Sequence, residues 1–113
     1  MQAERSGGAA GLFTRLLVDE LGEVRLLRPP EPETIFALDR DQLAHLRSAL
    51  AGAHFSALSS SYFMRHTADP GGFAWRITHA GRTVATRDGE APRGLATLMT
   101  ALAAIAEQSV LST

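Results

Sequence analysis

The sequence predicts an α+β fold, an antiparallel sheet of about four strands with two α-helices packed on one face. Three stretches carry that prediction. Phe73, Trp75 and Ile77 alternate with Ala74, Arg76 and Thr78, the period of a strand with one apolar face, and Arg82 to Arg87 returns with β-branched Thr83, Val84 and Thr86. Leu43, Leu46, Ala49 and Leu50 fall on one stripe at helical spacing. Leu95, Leu98, Met99, Leu102 and Ile105 trace a second such stripe.

In chain order, residues 1–11 are small and polar around Ser6-Gly7-Gly8, and read as a frayed terminus or a short edge strand. Residues 12–18 and 23–28 read as strands joined by the turn Asp19-Glu20-Leu21-Gly22; a short helix over 12–21 is the competing reading, which Thr14, Val18 and the tight turn disfavour. Pro29, Pro30 and Pro32 lack backbone N–H groups and exclude a central strand, so 29–33 is an exposed connection, and the apolar 34–38 returns as another strand. The first helix starts at Asp39, a good N-cap with Gln42 at the capping-box position, and Gly52 marks its C′ end. Phe55 and Leu58 extend the same core. Residues 59–71 have no clear period and end in the turn signal Asp69-Pro70-Gly71-Gly72. Between the hairpin strands, Gly81 supplies the positive φ of a tight turn. Pro92 suits position N1 of the last helix, which runs to about Glu107, with 109–113 frayed.

A chain of 113 residues encloses one core, so a single domain over 1–113 is expected, with 1–10 and 108–113 flexible. Apolar residues make up 45% and charged residues 20%, as in ordinary globular proteins and unlike disordered ones. All 11 basic residues are Arg, set against 12 acidic ones, and they are scattered along the chain. That distribution argues against nucleic acid and against an anionic membrane as partner, since both require a concentrated basic face. The absence of Cys excludes disulfides and thiolate chemistry. No apolar run approaches the roughly 20 residues of a membrane helix, and the start of the chain lacks a secretory pattern, so a cytoplasmic location is expected.

Catalytic constellations are weak. His45, His54, His66 and His79 show no i, i+4 metal pair, and surface or half-buried histidines are the simpler account. Ser59-Ser60-Ser61 near His66 and Asp69 lacks a nucleophile elbow. Neither glycine pair has a phosphate-loop pattern, so both are turn glycines, and Arg76 reads as a solvated side chain on the hairpin's polar face. No enzyme, metal site or cofactor is expected. The group Tyr62-Phe63-Met64-Arg65 has two readings: large apolar residues folded onto the core, or an exposed aromatic and Met anchor for a partner.

The order Arg5-Ser6-Gly7-Gly8-Ala9-Ala10-Gly11, an amphipathic helix over 39–51 and Ala53-His54-Phe55-Ser56-Ala57-Leu58 resembles the emfourin family, small protein inhibitors of protealysin-like zinc peptidases related to thermolysin. Asp69 with Gly72-Phe73-Ala74-Trp75-Arg76-Ile77-Thr78, Gly81-Arg82-Thr83-Val84, and Pro92 with Leu95, Leu98 and Leu102 are similar to the later motifs of that family. The resemblance covers 38–105 best. Between Val18 and Asp39 this chain is longer than the family pattern, with 29–32 as the excess.

The resemblance implies an inhibitor that occludes the active-site cleft of a thermolysin-like metalloprotease, with no cofactor of its own. Such a cleft has an apolar pocket beside its metal, which a large exposed apolar side chain would fill. Tyr62, Phe63, Met64 and Arg65 are the first candidates for the contact, Ile35 and Phe36 the second, and Asp69 a carboxylate near the same loop. A different class remains beside it, an interaction or oligomerisation module with no protease target.

Overall fold

The computed structural model describes residues 1–7, 12–62, 73–87 and 91–111; of Leu12, Tyr62 and 108–111 the backbone alone is described. Its elements are β1 (Gln2–Gly7), β2 (Leu12–Val18), β3 (Glu23–Leu27), β4 (Thr34–Ala37), α1 (Arg40–Ala53), a 3₁₀ turn (Phe55–Ala57), β5 (Ser61–Tyr62), β6 (Phe73–His79), β7 (Arg82–Arg87) and α2 (Arg93–Leu111). One sheet holds every strand in the order β4-β3-β2-β1-β6-β7-β5. The α+β class and the two helices match the sequence prediction. The strand count does not: six strands pair antiparallel, and the two-residue β5 adds in parallel at the β7 edge.

The largest correction concerns the start of the chain. Gln2–Gly7 is no frayed end or edge strand but the middle of the sheet, paired with β2 on one side and β6 on the other. Its sequence conceals this role because only Ala3 is buried among apolar residues, and Gln2, Glu4 and Ser6 occupy the solvated face that antiparallel sheets tolerate.

The reading of 12–18 and 23–28 as strands holds. Asp19 fixes the turn between β2 and β3: its Oδ1 accepts from the N–H groups of Leu21 and Glu23, both at 2.9 Å, as an Asx turn does. A second turn, with the Glu31 N–H donating to the Arg28 carbonyl at 2.9 Å, carries the chain through Pro29 and Pro30 to β4.

Helix α1 has the capping box that its sequence announces. The Gln42 N–H donates to Asp39 Oδ1 at 2.8 Å, and the Asp39 N–H donates to Gln42 Oε1 at 2.9 Å. Its end differs from expectation: Gly52 lies inside the helix, which runs to Ala53 and closes on His54 in the left-handed region at φ 49. Pro92 likewise stands one residue outside α2, where its carbonyl accepts from the Ala96 N–H at 2.8 Å, and α2 extends past Glu107 to Leu111.

All buried strand residues point to the helix side. Val18, Val24, Leu26, Ile77 and Val84 meet Leu46 and Ala49 of α1 and Leu95, Leu98, Leu102 and Ile105 of α2 in one hydrophobic cluster, which Trp75, Phe55 and Leu58 enlarge. The expected core positions of the hairpin are therefore correct, with Trp75 and Ile77 buried and Phe73 packed at the margin. Arg28 ties the far part of α2 to the end of β3, its guanidinium donating to the Ala106 carbonyl at 2.7 Å.

The two helices approach closely where α1 ends and α2 begins. A Cβ built on Gly94 would lie 2.6 Å from the Gly52 carbonyl oxygen and 3.1 Å from the Ala53 Cα, both backbone atoms. Gly52 itself has open space where a Cβ would go. The hairpin turn is of the I′ kind, with positive φ at both Ala80 (51°) and Gly81 (78°). A non-glycine residue in that region costs about 1–2 kcal/mol.

Two opposite outcomes follow for the helix contact. Gly94→Ala should destabilise by about 1–3 kcal/mol, the usual cost of overpacking, whereas Gly52→Ala should be neutral or stabilise by up to about 1 kcal/mol through helix propensity. Thermal unfolding followed by circular dichroism reads both, at roughly 4–8 °C per kcal/mol for a domain near this size. In the same measurement Ala80→Asn should raise the midpoint by several degrees, because Asn-Gly is the favoured I′ pair; a fall would show that Ala80 makes a contact worth more than its backbone strain.

Candidate functional site

A sheet covered by helices on one side has a second face, and here no described element packs on it. Strand alternation and register define its composition. One row across the sheet runs Ile35, Arg25, Leu17, Gln2, Thr78, Thr83; the next runs Leu27, Arg15, Glu4, Arg76, Ala85; a third runs Phe13, Ser6, Ala74, Arg87. Phe13, Leu17 and Leu27 are half-buried among these neighbours. Ile35 is 55% exposed on the edge strand β4.

The charges on this face are partly paired. Glu4 is engaged by Arg15, with Nη2 to Oε2 at 3.7 Å, and accepts from Gln2 Nε2 at 3.0 Å. Arg25 lies 3.8 Å from both Glu23 and Glu33, with about half of its side chain in solvent. Contacts of this length and exposure contribute about 0–1 kcal/mol each. Arg76 is exposed and makes no ion pair among the described residues. Around Gln2, Leu17, Arg25 and Thr78 the face dips into a depression of about 480 Å³ that opens toward the end of the sheet at Asp19 and His79.

The first-choice site residues take a different place. Phe63, Met64, Arg65 and Asp69 lie outside the described residues, as does the side chain of Tyr62. The backbone of Tyr62 pairs with Thr86 in β5. Tyr62 and Phe73, which bound the segment 63–72, stand at the same end of the sheet as Gly7, Leu12 and Arg87, which bound 8–11 and open 88–90. That end is braced from below by Arg5, whose guanidinium stacks on the rings of Phe73 at 4.6 Å and Trp75 at 5.5 Å.

Of the second-choice pair, Ile35 projects onto the open face beside Arg25, while Phe36 points the opposite way, pairs with Val24 and packs against the core. The two residues therefore do different things. Apart from Arg76, read as a solvated side chain and exposed in the structure, the arginines and half-buried apolar residues of the open face were not singled out by sequence. Their signal is present in the alternation of Phe13-Thr14-Arg15-Leu16-Leu17 and Glu23-Val24-Arg25-Leu26-Leu27, but it becomes a surface only once β1 joins those strands to β6.

Among the described residues no group of three or more His, Cys, Asp or Glu is placed to hold a metal, and no described helix is long and apolar enough to cross a membrane. Fold and surface together define a small α+β domain with helices on one face of an antiparallel sheet and an arginine-bearing open face on the other. The chain matches no family model, no curated protein and no solved structure.

The opposed directions of the β4 side chains can be read out separately. Ile35→Ser should leave the unfolding midpoint within a degree or two, as surface substitutions do. Phe36→Ala should cost about 2 kcal/mol, less than the 3–5 of a fully buried ring. Equal losses for the two in thermal denaturation would contradict this geometry.

Proposed function

We propose that this protein is an inhibitor of a thermolysin-like zinc peptidase and acts by occluding the active-site cleft. The observation that carries the reading is the ordered run of emfourin-like motifs, each of which falls on a separate structural part. Arg5-Ser6-Gly7 ends β1, Phe55-Ser56-Ala57 forms the 3₁₀ turn, Phe73 to Thr78 fills β6, and Gly81-Arg82-Thr83-Val84 opens β7. The segment holding Tyr62, Phe63, Met64, Arg65 and Asp69 joins the sheet at the end that Arg5, Phe73 and Trp75 stiffen, a support suited to an inhibitory loop.

Ile35 adds a second contact within this reading. It is a large apolar side chain in solvent on a short edge strand, following an exposed turn through Pro29 and Pro30. An edge strand offers unpaired backbone groups to an extended partner segment. An apolar pocket beside a catalytic metal suits an aliphatic side chain of this size.

The second reading is an interaction module without a protease target, and the open sheet face favours it. Titration of a thermolysin-like peptidase from the same source separates the two. Activity should fall to a small residue near one equivalent of this protein, and Phe63→Ala and Ile35→Ser should each weaken inhibition at least tenfold at unchanged unfolding midpoint. Full peptidase activity at stoichiometric excess rules out the inhibitor reading.

A further inference from the structure

We infer that this protein pairs with a second copy of itself through the turn between β2 and β3, the Leu21 side chain of each copy entering the cleft between α1 and the sheet of the other. The inference stands apart from the inhibitor reading. Leu21 is 88% exposed, the more exposed of the two large apolar residues that stand in solvent among the described residues. Nothing in the turn calls for it, since Asp19 and Gly22 satisfy the local backbone and a polar residue would serve at the tip. The tip is also held in place. Asp19 Oδ1 accepts from the N–H groups of Leu21 and Glu23, the Asp19 N–H donates to the Glu23 carbonyl at 3.0 Å, and the Arg47 guanidinium of α1 donates to the Glu20 carbonyl at 2.8 Å. An apolar side chain on so constrained a turn loses little backbone freedom when a partner covers it.

Beside the turn lies a cleft of about 340 Å³ walled by Val18 of β2 and by Leu43, Leu46 and Leu50 of α1. Leu43 and Leu50 are only half-buried there. Apolar walls around such a volume suit an aliphatic side chain. In its own chain Leu21 stays outside this cleft, although Glu20 lines it and Gly22 comes against its wall, where a Cβ would lie 3.3 Å from Leu43 Cδ2. Projection and cleft therefore lie side by side on one surface. A two-fold axis passing between them seats both projections at once and closes the pair, as a self-complementary interface requires.

The charges that line the cleft suit the same occupant. Asp19 and Glu20 belong to the turn that carries Leu21, and Arg47 belongs to the helical wall opposite, with His79 as the remaining titratable group. One oxygen of Asp19 is taken up by backbone N–H groups, and neither Glu20 nor Arg47 forms an ion pair among the described residues. The two-fold that seats Leu21 lays the turn of one copy on α1 of the other, so that Glu20 comes toward Arg47 of the second copy, twice in each dimer. Opposite charges arranged in this way fix the register and the partner of an interface more than they add affinity.

The test is sedimentation equilibrium of the full chain at concentrations up to about 1 mM. The wild type should follow a monomer–dimer equilibrium. Leu21→Ser takes an apolar side chain out of both clefts and should weaken the dimer about a hundredfold or more. Circular dichroism should show its unfolding midpoint, measured in dilute monomer, unchanged within a degree or two, as for other surface substitutions. Glu20→Arg sets like charges together across the interface and should weaken the dimer about tenfold. The exchange Glu20→Arg/Arg47→Glu should return association to near the wild-type value, and it decides the question on its own if Leu21→Ser proves unfolded. A wild type that stays monomeric throughout overturns the inference. So does a dimer that Leu21→Ser leaves intact, or one that the charge exchange does not restore. Growth into species larger than a dimer would show that projection and cleft join head to tail, and would overturn the closed pair.

Discussion

Six residues at the start of the chain hold the two halves of the sheet together. One edge of β1 bonds to β2 and so to the β2-β3-β4 meander, and its other edge bonds to β6 and so to the C-terminal hairpin. Among the described strands no other one pairs with both halves. Without β1 the meander and the hairpin would each present an unpaired inner edge, and few-stranded antiparallel pieces with half a hydrophobic face are marginal in water. The buried row Leu26-Leu16-Ala3-Ile77-Val84 is continuous only because β1 supplies its middle position. Ala3 is small there, which leaves room for α2 above it, as the tiny gap lined by Ala3, Leu102 and Ala106 shows.

The helices answer this platform from one side. Their crossing is set by backbone contact at Gly52 and Gly94 rather than by large side chains, so the ends of α1 and the start of α2 can lie side by side over the sheet. From there α2 runs to the Arg28 guanidinium, which takes up the Ala106 carbonyl. The 3₁₀ turn after α1 is pinned to the hairpin twice, by the edge-on contact of the Phe55 and His79 rings at 5.9 Å and by Arg82 donating to the Leu58 carbonyl. Placing the fully buried strand residues described on this side leaves the opposite face open, with Ile35 exposed and Phe13, Leu17 and Leu27 only half-buried on it.

That division of labour also organises the functional reading. The end of the sheet from which 8–11, 63–72 and 88–90 depart is braced by stacked Arg5, and the open face adjoins it through Phe13, Ala74 and Arg87.

What the sequence determined by itself is local. The Asp39 and Gln42 capping box, the Leu95 to Ile105 stripe and the alternation through Trp75 and Ile77 each depend on residues two to four positions apart, and the structure keeps all of them. The sequence did not separate Ile35 from Phe36, which stood together as second candidates for a partner contact. The central place of β1, the six antiparallel strands, the true end of α1 at His54 and the split between exposed Ile35 and packed Phe36 required tertiary structure. The physical reason is that these depend on partners far apart in sequence. A strand with one buried Ala shows no apolar period, Gly52 lies inside its helix with its carbonyl facing Gly94, and Arg15, Glu4 and Arg76 become neighbours only through strand register.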